Sequence, residues 1–181
     1  MENILEVRNL SRSFDGFKLE NISFSLPRGY IMGLIGPNGA GKTTTIKLIM
    51  NLIRKASGEI KIFGLDYQRH EMEIKHRIGF VYDENHYYEE LSVAETGRLI
   101  GRFYREWDDS VFDRYVKRFD LPRRTKVKDL SRGMKSKLGL ALALSHNAEM
   151  IILDEPTSGL DPVFRAELLE ILAELLQDER K

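Results

Sequence analysis

Apolar and polar residues alternate along 4–8 (Ile-Leu-Glu-Val-Arg) and 19–26 (Leu-Glu-Asn-Ile-Ser-Phe-Ser-Leu). This is the period-two pattern of strands covered on one face, and the turn-like Asp15-Gly16 between them predicts an antiparallel pair. Pro27-Arg28-Gly29 then turns the chain into 30–35, which is apolar nearly throughout and is expected to be a buried strand. Alternation returns over 59–64 after the Ser57-Gly58 break, and the short apolar runs 78–82 and 150–153 predict two more buried strands. Helical periodicity begins at Lys42, and 66–77 reads as a short charged helix with a solvated face. Ser92 and Glu95 form a capping box that opens a helix over 93–104. Asp108 or Asp109 caps the next, which runs through Arg118 with Val111, Phe112, Tyr115, Val116 and Phe119 on its apolar face before Leu121-Pro122 ends it. Ser131 opens another carrying the apolar run 138–144, and Pro162 is placed as the first residue of a last helix reaching about Asp178. Residues 84–145 contain no convincing strand, so a helical segment is expected to be inserted into an α/β core.

Composition narrows the class. A chain of 181 residues supports one well-buried domain, with room for a subdomain. Lys plus Arg and Asp plus Glu number 28 each, so no basic excess points to nucleic acid. Cysteine is absent, which removes disulfides and thiolate metal sites and fits a reducing compartment. No apolar stretch approaches the ~20 residues that span a bilayer, and Met1–Leu10 lacks the core of a signal peptide.

The strongest chemical signal is Gly36-Pro37-Asn38-Gly39-Ala40-Gly41-Lys42-Thr43, placed after the apolar run and before the helix that contains Thr44. Glycines let such a loop curl until successive N–H groups point inward, and with the helix N-terminus they cradle phosphate oxygens. Lys42 reaches the β- and γ-phosphates of a nucleoside triphosphate, and Thr43 offers its hydroxyl to Mg²⁺. Phe14 carries two readings, core packing or a ring on which an adenine base stacks. Two apolar strands end in carboxylates, Asp83-Glu84 and Asp154-Glu155, candidates for metal or water contact at the C-terminal edge of a sheet.

The ordered set resembles the nucleotide-binding domain of ATP-binding cassette (ABC) transporters over nearly the whole chain, about Leu5 to Asp178. The additions that carry the resemblance are Leu130-Ser131-Arg132-Gly133-Met134, similar to the family's signature loop, then Asp154-Glu155, then Ser158-Gly159-Leu160-Asp161, similar to its D-loop. The resemblance implies a P-loop NTPase (RecA-like) core with an N-terminal antiparallel β subdomain, 1–83 and 146–181, and an inserted α-helical subdomain, 84–145. It implies ATP and Mg²⁺ as ligands, with Asp154 and Thr43 holding the metal, Asp83 contributing to metal and catalysis, and Glu155 as general base. Ser131, Arg132, Gly133 and Met134 would meet the ATP of a second, opposed nucleotide-binding subunit, in a homo- or heterodimer, with Ser158 and Asp161 along the interface. A separate integral membrane permease, contacted near 83–90 where Tyr87 and Tyr88 stand, would anchor the subunit on the cytoplasmic face of the membrane.

Three departures qualify the match. Asp83-Glu84 stand where the family usually has glutamine. Arg132 and Met134 replace the commoner glycine and glutamine, a form similar to bacterial exporters of the antibiotic-resistance branch. The family's γ-phosphate histidine lies beyond the final helix, and His70, His76, His86 and His146 read as surface histidines, so an incomplete chain with slow turnover is expected. The alternative is a soluble cassette ATPase acting on ribosomes or nucleic acid; the absence of a second cassette and of a basic surface favours the exporter, with no nucleic acid partner.

Overall fold

A computed structural model describes residues 2–82, 87–155 and 161–177. They gather into two compact units, one on the N-terminal side up to Ile74 and joined by Leu176, the other Lys75–Leu175.

The first unit is built on the predicted antiparallel pair. β1 (Asn3–Phe14) and β2 (Phe17–Pro27) form a hairpin across Asp15-Gly16, and β3 (Ser57–Ile62) and β4 (Leu65–Asp66) extend it to a four-stranded sheet in the order β2-β1-β3-β4. Strict alternation would bury Leu5, Val7 and then residue 9, yet Leu10 is the residue that turns inward. Asn9 explains the slip: at φ 49 it inserts a bulge, its N–H donates to Ser23 Oγ at 2.8 Å, and the register shifts between Val7 and Leu10. Buried in this unit are Leu5, Val7, Leu10, Ile60 and Ile62 of the sheet and Ile46, Leu48 and Ile49 of α1 (Lys42–Ile49). Tyr67 is buried and its hydroxyl donates to Met50 O at 3.0 Å, with burial raising its pKa. The charged stretch expected as one helix over 66–77 divides into the end of β4 and α2 (Glu71–His76).

The expected strand over 30–35 does not form. These residues lie outside every strand, and Tyr30, Ile31 and Ile35 are exposed, Ile35 at 97%. An apolar run states that side chains should leave water; it does not name the neighbour whose N–H and C=O complete a ladder. The turn at Gly29 (φ 79) ends β2 and leads the chain out of its own unit's sheet.

In the second unit β5 (Ile78–Val81) pairs in parallel with β6 (Met150–Leu153), Ile78 opposite Met150 and Val81 opposite Leu153. Arg77 closes the near end of this pair with a bidentate bond to Glu149, 2.5 and 3.1 Å. Four helices accompany it: α3 (Val93–Gly101), α4 (Asp109–Arg118), α5 (Arg132–Leu144) and α6 (Pro162–Leu176). α5 passes so close to β5 that a Cβ at Gly79 would lie 2.6 Å from Ala143 O. The apolar face read for α4 is the one buried: Phe112, Tyr115, Val116 and Phe119 pack with Leu138–Leu144 of α5 and with Phe164, Leu168 and Ile171 of α6. Arg118 ties α4 to α6 through Glu167 at 3.1 Å and Glu174 at 2.9 Å.

Sequence-level caps hold in detail. Ser92 Oγ accepts from Glu95 N–H while Glu95 returns to Ser92 N–H at 2.8 Å, and Asp108 rather than Asp109 caps α4 by accepting from Ser110 and Val111. Ser92→Ala should destabilise the chain by about 1 kcal/mol, since Glu95 N–H loses its acceptor while the other first-turn donors keep theirs on backbone carbonyls. An unchanged urea midpoint would show that the box is ornamental to stability. α3 is shorter than expected: it ends at Gly101, and the chain continues to Tyr104 in tighter i→i+3 turns, Phe103 N–H on Ile100 O at 3.0 Å and Tyr104 N–H on Gly101 O at 3.2 Å.

Candidate functional site

The glycine loop belongs to the first unit, and β2 packs against its end. A Cβ at Gly41 would lie 2.8 Å from the Phe17 ring and 2.9 Å from Leu19, and Gly41 holds φ 89, so a side chain is barred twice over. Gly39 takes φ 80, and Ala40 N–H donates to Pro37 O at 3.2 Å, closing the curve. Inside that curve Lys42 Nζ donates to Gly36 O at 2.9 Å and Pro37 O at 3.0 Å. Gly41 brings no side chain to cap α1, and no acidic residue occupies its first turn, which leaves the positive end of the helix suited to an anion. Thr43 and Thr44 are half-buried in that turn, while Thr45 turns away and donates to Gly41 O at 2.9 Å. Residues Gly36 to Thr44 are therefore brought together in one closed loop and first helical turn, whose own lysine occupies loop carbonyls.

Phe14 lies at the end of β1, 40% exposed, with Phe17 stacked at 6.4 Å and the Arg12 guanidinium 5.2 Å over its ring. Core burial is thus excluded for Phe14. The flat ring stays partly accessible, as base stacking requires.

The acidic residues belong to the second unit. Asp154 N–H donates to Val81 O at 2.9 Å, carrying the β5–β6 ladder one step beyond β6, and burial leaves Asp154 only 3% exposed. Glu155 follows at φ 48, a left-handed backbone in a non-glycine residue, costing about 1–3 kcal/mol. That turn leaves Glu155 exposed where its neighbour is enclosed.

The signature segment opens α5. Ser131 Oγ accepts from Met134 N–H at 3.2 Å, Ser131 and Arg132 are exposed, and Gly133 and Met134 are half-buried. Asp161 accepts from Phe164 N–H at 2.9 Å and so caps α6; that bond, before the nearby Lys137, holds its carboxyl below the usual range. Asp83, Glu84, His86 and Ser158 lie outside the described residues. Tyr87 packs partly buried against the core, with burial raising its pKa, whereas Tyr88 is exposed at 73%.

One histidine departs from expectation. His146 is not on the surface: it is 2% exposed, with its ring stacked 3.8 Å from Tyr104, whose other contact is His76 edge-on at 6.2 Å. α5 stops at Leu144 and Asn147 takes φ 53, so the turn between them points residue 146 inward.

The donor chemistry fits the ligands that the resemblance implies. Glycine-loop amides and an ammonium suit phosphate, and Thr43 of the first unit and Asp154 of the second are each oxygen donors of the kind that suits a hard cation such as Mg²⁺. Mg²⁺ would supply neutralisation of the charge that develops on phosphate oxygens.

Residues 19–158 match the family described as ABC transporter. The chain is 32% identical over 172 residues to "ABC transporter ATP-binding protein YtrB" of Bacillus subtilis (strain 168), covering 94% of this chain and 59% of that protein. It is 34% identical over 181 residues to "Bacitracin transport ATP-binding protein BcrA" of Bacillus licheniformis, covering 98% and 59%. Among solved structures, the one titled "Structure of ATP binding subunit of ABC transporter" superposes with a TM-score of 0.86 at 33% identity, covering 96% of this chain and 75% of that one. A "Putative ABC transporter (ATP-binding protein)" from Pyrococcus furiosus gives 0.81 at 28%, covering 97% and 86%. The chain spans about 59% of the length of these curated relatives. With the P-loop fold of those structures and a family match over most of its length, the chain belongs to the ABC transporter family, in its ATP-binding domain.

Proposed function

We propose that the chain is the ATP-binding and ATP-hydrolysing part of an ABC exporter, working as a dimer on a separate membrane permease at the cytoplasmic face. The observation that carries this is the cradle itself: a loop closed on left-handed Gly39 and Gly41, with the Lys42 ammonium already inside it on two carbonyls. Triphosphate oxygens are stronger partners for that ammonium than neutral carbonyls, so ATP would draw Lys42 from Gly36 and Pro37 onto the β- and γ-phosphates. Thr43 and Asp154 would hold Mg²⁺. Glu155 would take a proton from the water that attacks the γ-phosphorus, as the bond to the leaving ADP oxygen breaks.

The dimer reading rests on exposed Ser131 and half-buried Gly133 at the start of α5, a helix without acidic residues in its first turn, which suits the γ-phosphate of an opposed subunit. ATP would favour the closed dimer by binding it better than the open one, and phosphate release would reverse this. Asp83 and Ser158 keep the roles of metal contact and interface residue in this proposal. Export is supported by printed names of relatives, among them "Nod factor export ATP-binding protein I" and "Lantibiotic transport ATP-binding protein SrtF". None of the described helices is long and apolar enough to cross a membrane, so the permease would be a different chain or segment. Equal numbers of cations and anions overall favour it over a nucleic-acid partner.

The test is ATP affinity. Lys42→Ala should weaken ATP binding by at least about tenfold, the loss of one charge-assisted contact, and depress hydrolysis by roughly a hundredfold or more. Fluorescent-ATP titration and phosphate release measure both. Binding as tight as that of the parent chain would refute the cradle.

A further inference from the structure

Beside the start of α3, within the second unit, lies a cavity of about 480 Å³ lined by Ser92, Ala94, Glu95, Arg98 and the segment containing Arg123, Arg124 and Lys126. Its volume is that of a ligand cleft, large enough for more than a single ion. Four cations face one carboxylate there, in a chain whose charges balance overall.

The backbone shows why these cations converge. Residues 123–128 run beside 89–94: Lys128 N–H donates to Glu89 O, Val127 N–H to Leu91 O, Val93 N–H to Thr125 O and Ala94 N–H to Arg123 O, at 2.9–3.1 Å. That zipper sets Arg123, Arg124 and Lys126 next to the first turn of α3, where Arg98 stands one turn further along. The helix's own donors are occupied, by Thr125 O, Arg123 O, Ser92 Oγ and Ser92 O, so an anion here would be held by side chains and not by a bare helix end. Glu95 is turned to Ser92, its Oε2 2.8 Å from the N–H and 2.6 Å from the hydroxyl. Arg123 pairs with Asp113 at 2.5 Å and Lys126 with Glu90 at 2.9 Å. Among the described residues Arg98 and Arg124 pair with no carboxylate within ion-pair distance, and both are exposed. Two guanidinium forks in one recess match carboxylates in geometry and in charge.

We propose that this cavity docks an acidic segment of a partner protein, with its carboxylates entering between Arg98 and Arg124. The partner's identity as the permease rests on the exporter reading; the cavity's preference for an acidic peptide does not. A peptide is favoured over an anionic membrane because the exposed carboxylates Glu89, Glu90 and Asp113 stand on the same or adjoining segments. A charged plane would meet them together with the cations, whereas a single side chain entering the recess meets four cations against the one carboxylate of Glu95, itself held on Ser92.

The full chain, in parent form and as the double variant Arg98→Ala/Arg124→Ala, is titrated into fluorescein-labelled hexaglutamate, with hexaglutamine as the uncharged probe. The expected result is salt-sensitive binding of hexaglutamate, at least tenfold weaker in the double variant, with no binding of hexaglutamine. The single reversal Arg124→Glu should weaken it as much, and as an exposed change it guards against a double variant that misfolds. Equal hexaglutamate affinity in parent and variants overturns the proposal. So does arginine-dependent sedimentation with phosphatidylglycerol vesicles in the absence of peptide binding, which would assign the cavity to a lipid surface. Fluorescent ATP, titrated in parallel, should bind parent and variants alike. Failure of every form to bind ATP would sink the exporter reading, and arginine-dependent peptide binding would still support the cavity.

Discussion

Glu155→Gln is expected to lower steady-state ATP hydrolysis by about 10²–10⁴-fold, the range of a positioned general base, while ATP affinity changes little. The amide has the size and shape of the carboxylate but cannot take the proton of an attacking water. The left-handed backbone at Glu155 (φ 48) should persist, since glutamine meets the same steric penalty there as glutamate and the fold already supports one. With hydrolysis blocked and binding intact, ATP should accumulate in the closed state, and the variant should elute as a dimer in ATP and as a monomer without it. Phosphate release and size-exclusion chromatography read the two effects separately. Hydrolysis within threefold of the parent would remove Glu155 from the base role. A normal loss of hydrolysis with an unchanged elution volume would leave the base in place and discard the ATP-closed dimer.

Phe119→Ala should cost about 3–5 kcal/mol, a large fraction of the 5–15 kcal/mol that hold an ordinary domain folded. Phe119 is 2% exposed and stands where α4 and α6 meet, edge-on to Phe164 at 5.2 Å and tilted against Tyr115 at 5.6 Å. Truncation removes the ring from both contacts and leaves a void between helices that the Arg118 bonds to Glu167 and Glu174 hold at fixed spacing. Collapse into the void is therefore limited, which places the cost toward the upper end of the range. Urea denaturation of parent and variant, compared at equal slope, measures it. A loss under 1 kcal/mol would mean that the cluster repacks freely and that the α4–α6 contact is not rigid.

The two effects lie at different levels of the molecule. Glu155 can be altered without touching the core, because it is exposed at the end of a ladder that stops with Asp154 N–H on Val81 O. Phe119 contributes no chemistry, yet the helices that it joins include α5, whose first turn carries the signature segment. Loss of packing there should reach the site through the placement of that turn.

Local features were legible from sequence because their causes are local. Gly39 and Gly41 are required by left-handed backbone within the loop itself, Ser92, Asp108 and Ser131 cap helices whose donors lie two or three residues away, and the α4 stripe follows from a 3.6-residue period. β5 and β6 were readable as strands because their apolar runs are short and bounded, and Asp154-Glu155 marked the end of one of them. The roles proposed for these carboxylates rest on order along the chain as well as local pattern, since a strand ending in two acids is common by itself.

Where contacts are distant in sequence, the reading failed or was silent. The run 30–35 has the composition of a buried strand and sits outside any sheet, because burial requires a second surface that no stretch of sequence supplies to itself. His146 reads as a polar residue after a helix, but a left-handed Asn147 and the Tyr104 ring turn it inward. Arg98 and Arg124 are 26 positions apart, and only the zipper of 89–94 with 123–128 puts them in one recess. The sequence by itself determined the phosphate loop, the helix caps, the α4 face and the acidic end of β6, all set by steric and hydrogen-bonding demands within a few residues. The tertiary structure alone decided which strands found partners, which polar side chains were enclosed and where cations met, because those outcomes depend on surfaces brought together from separate parts of the chain.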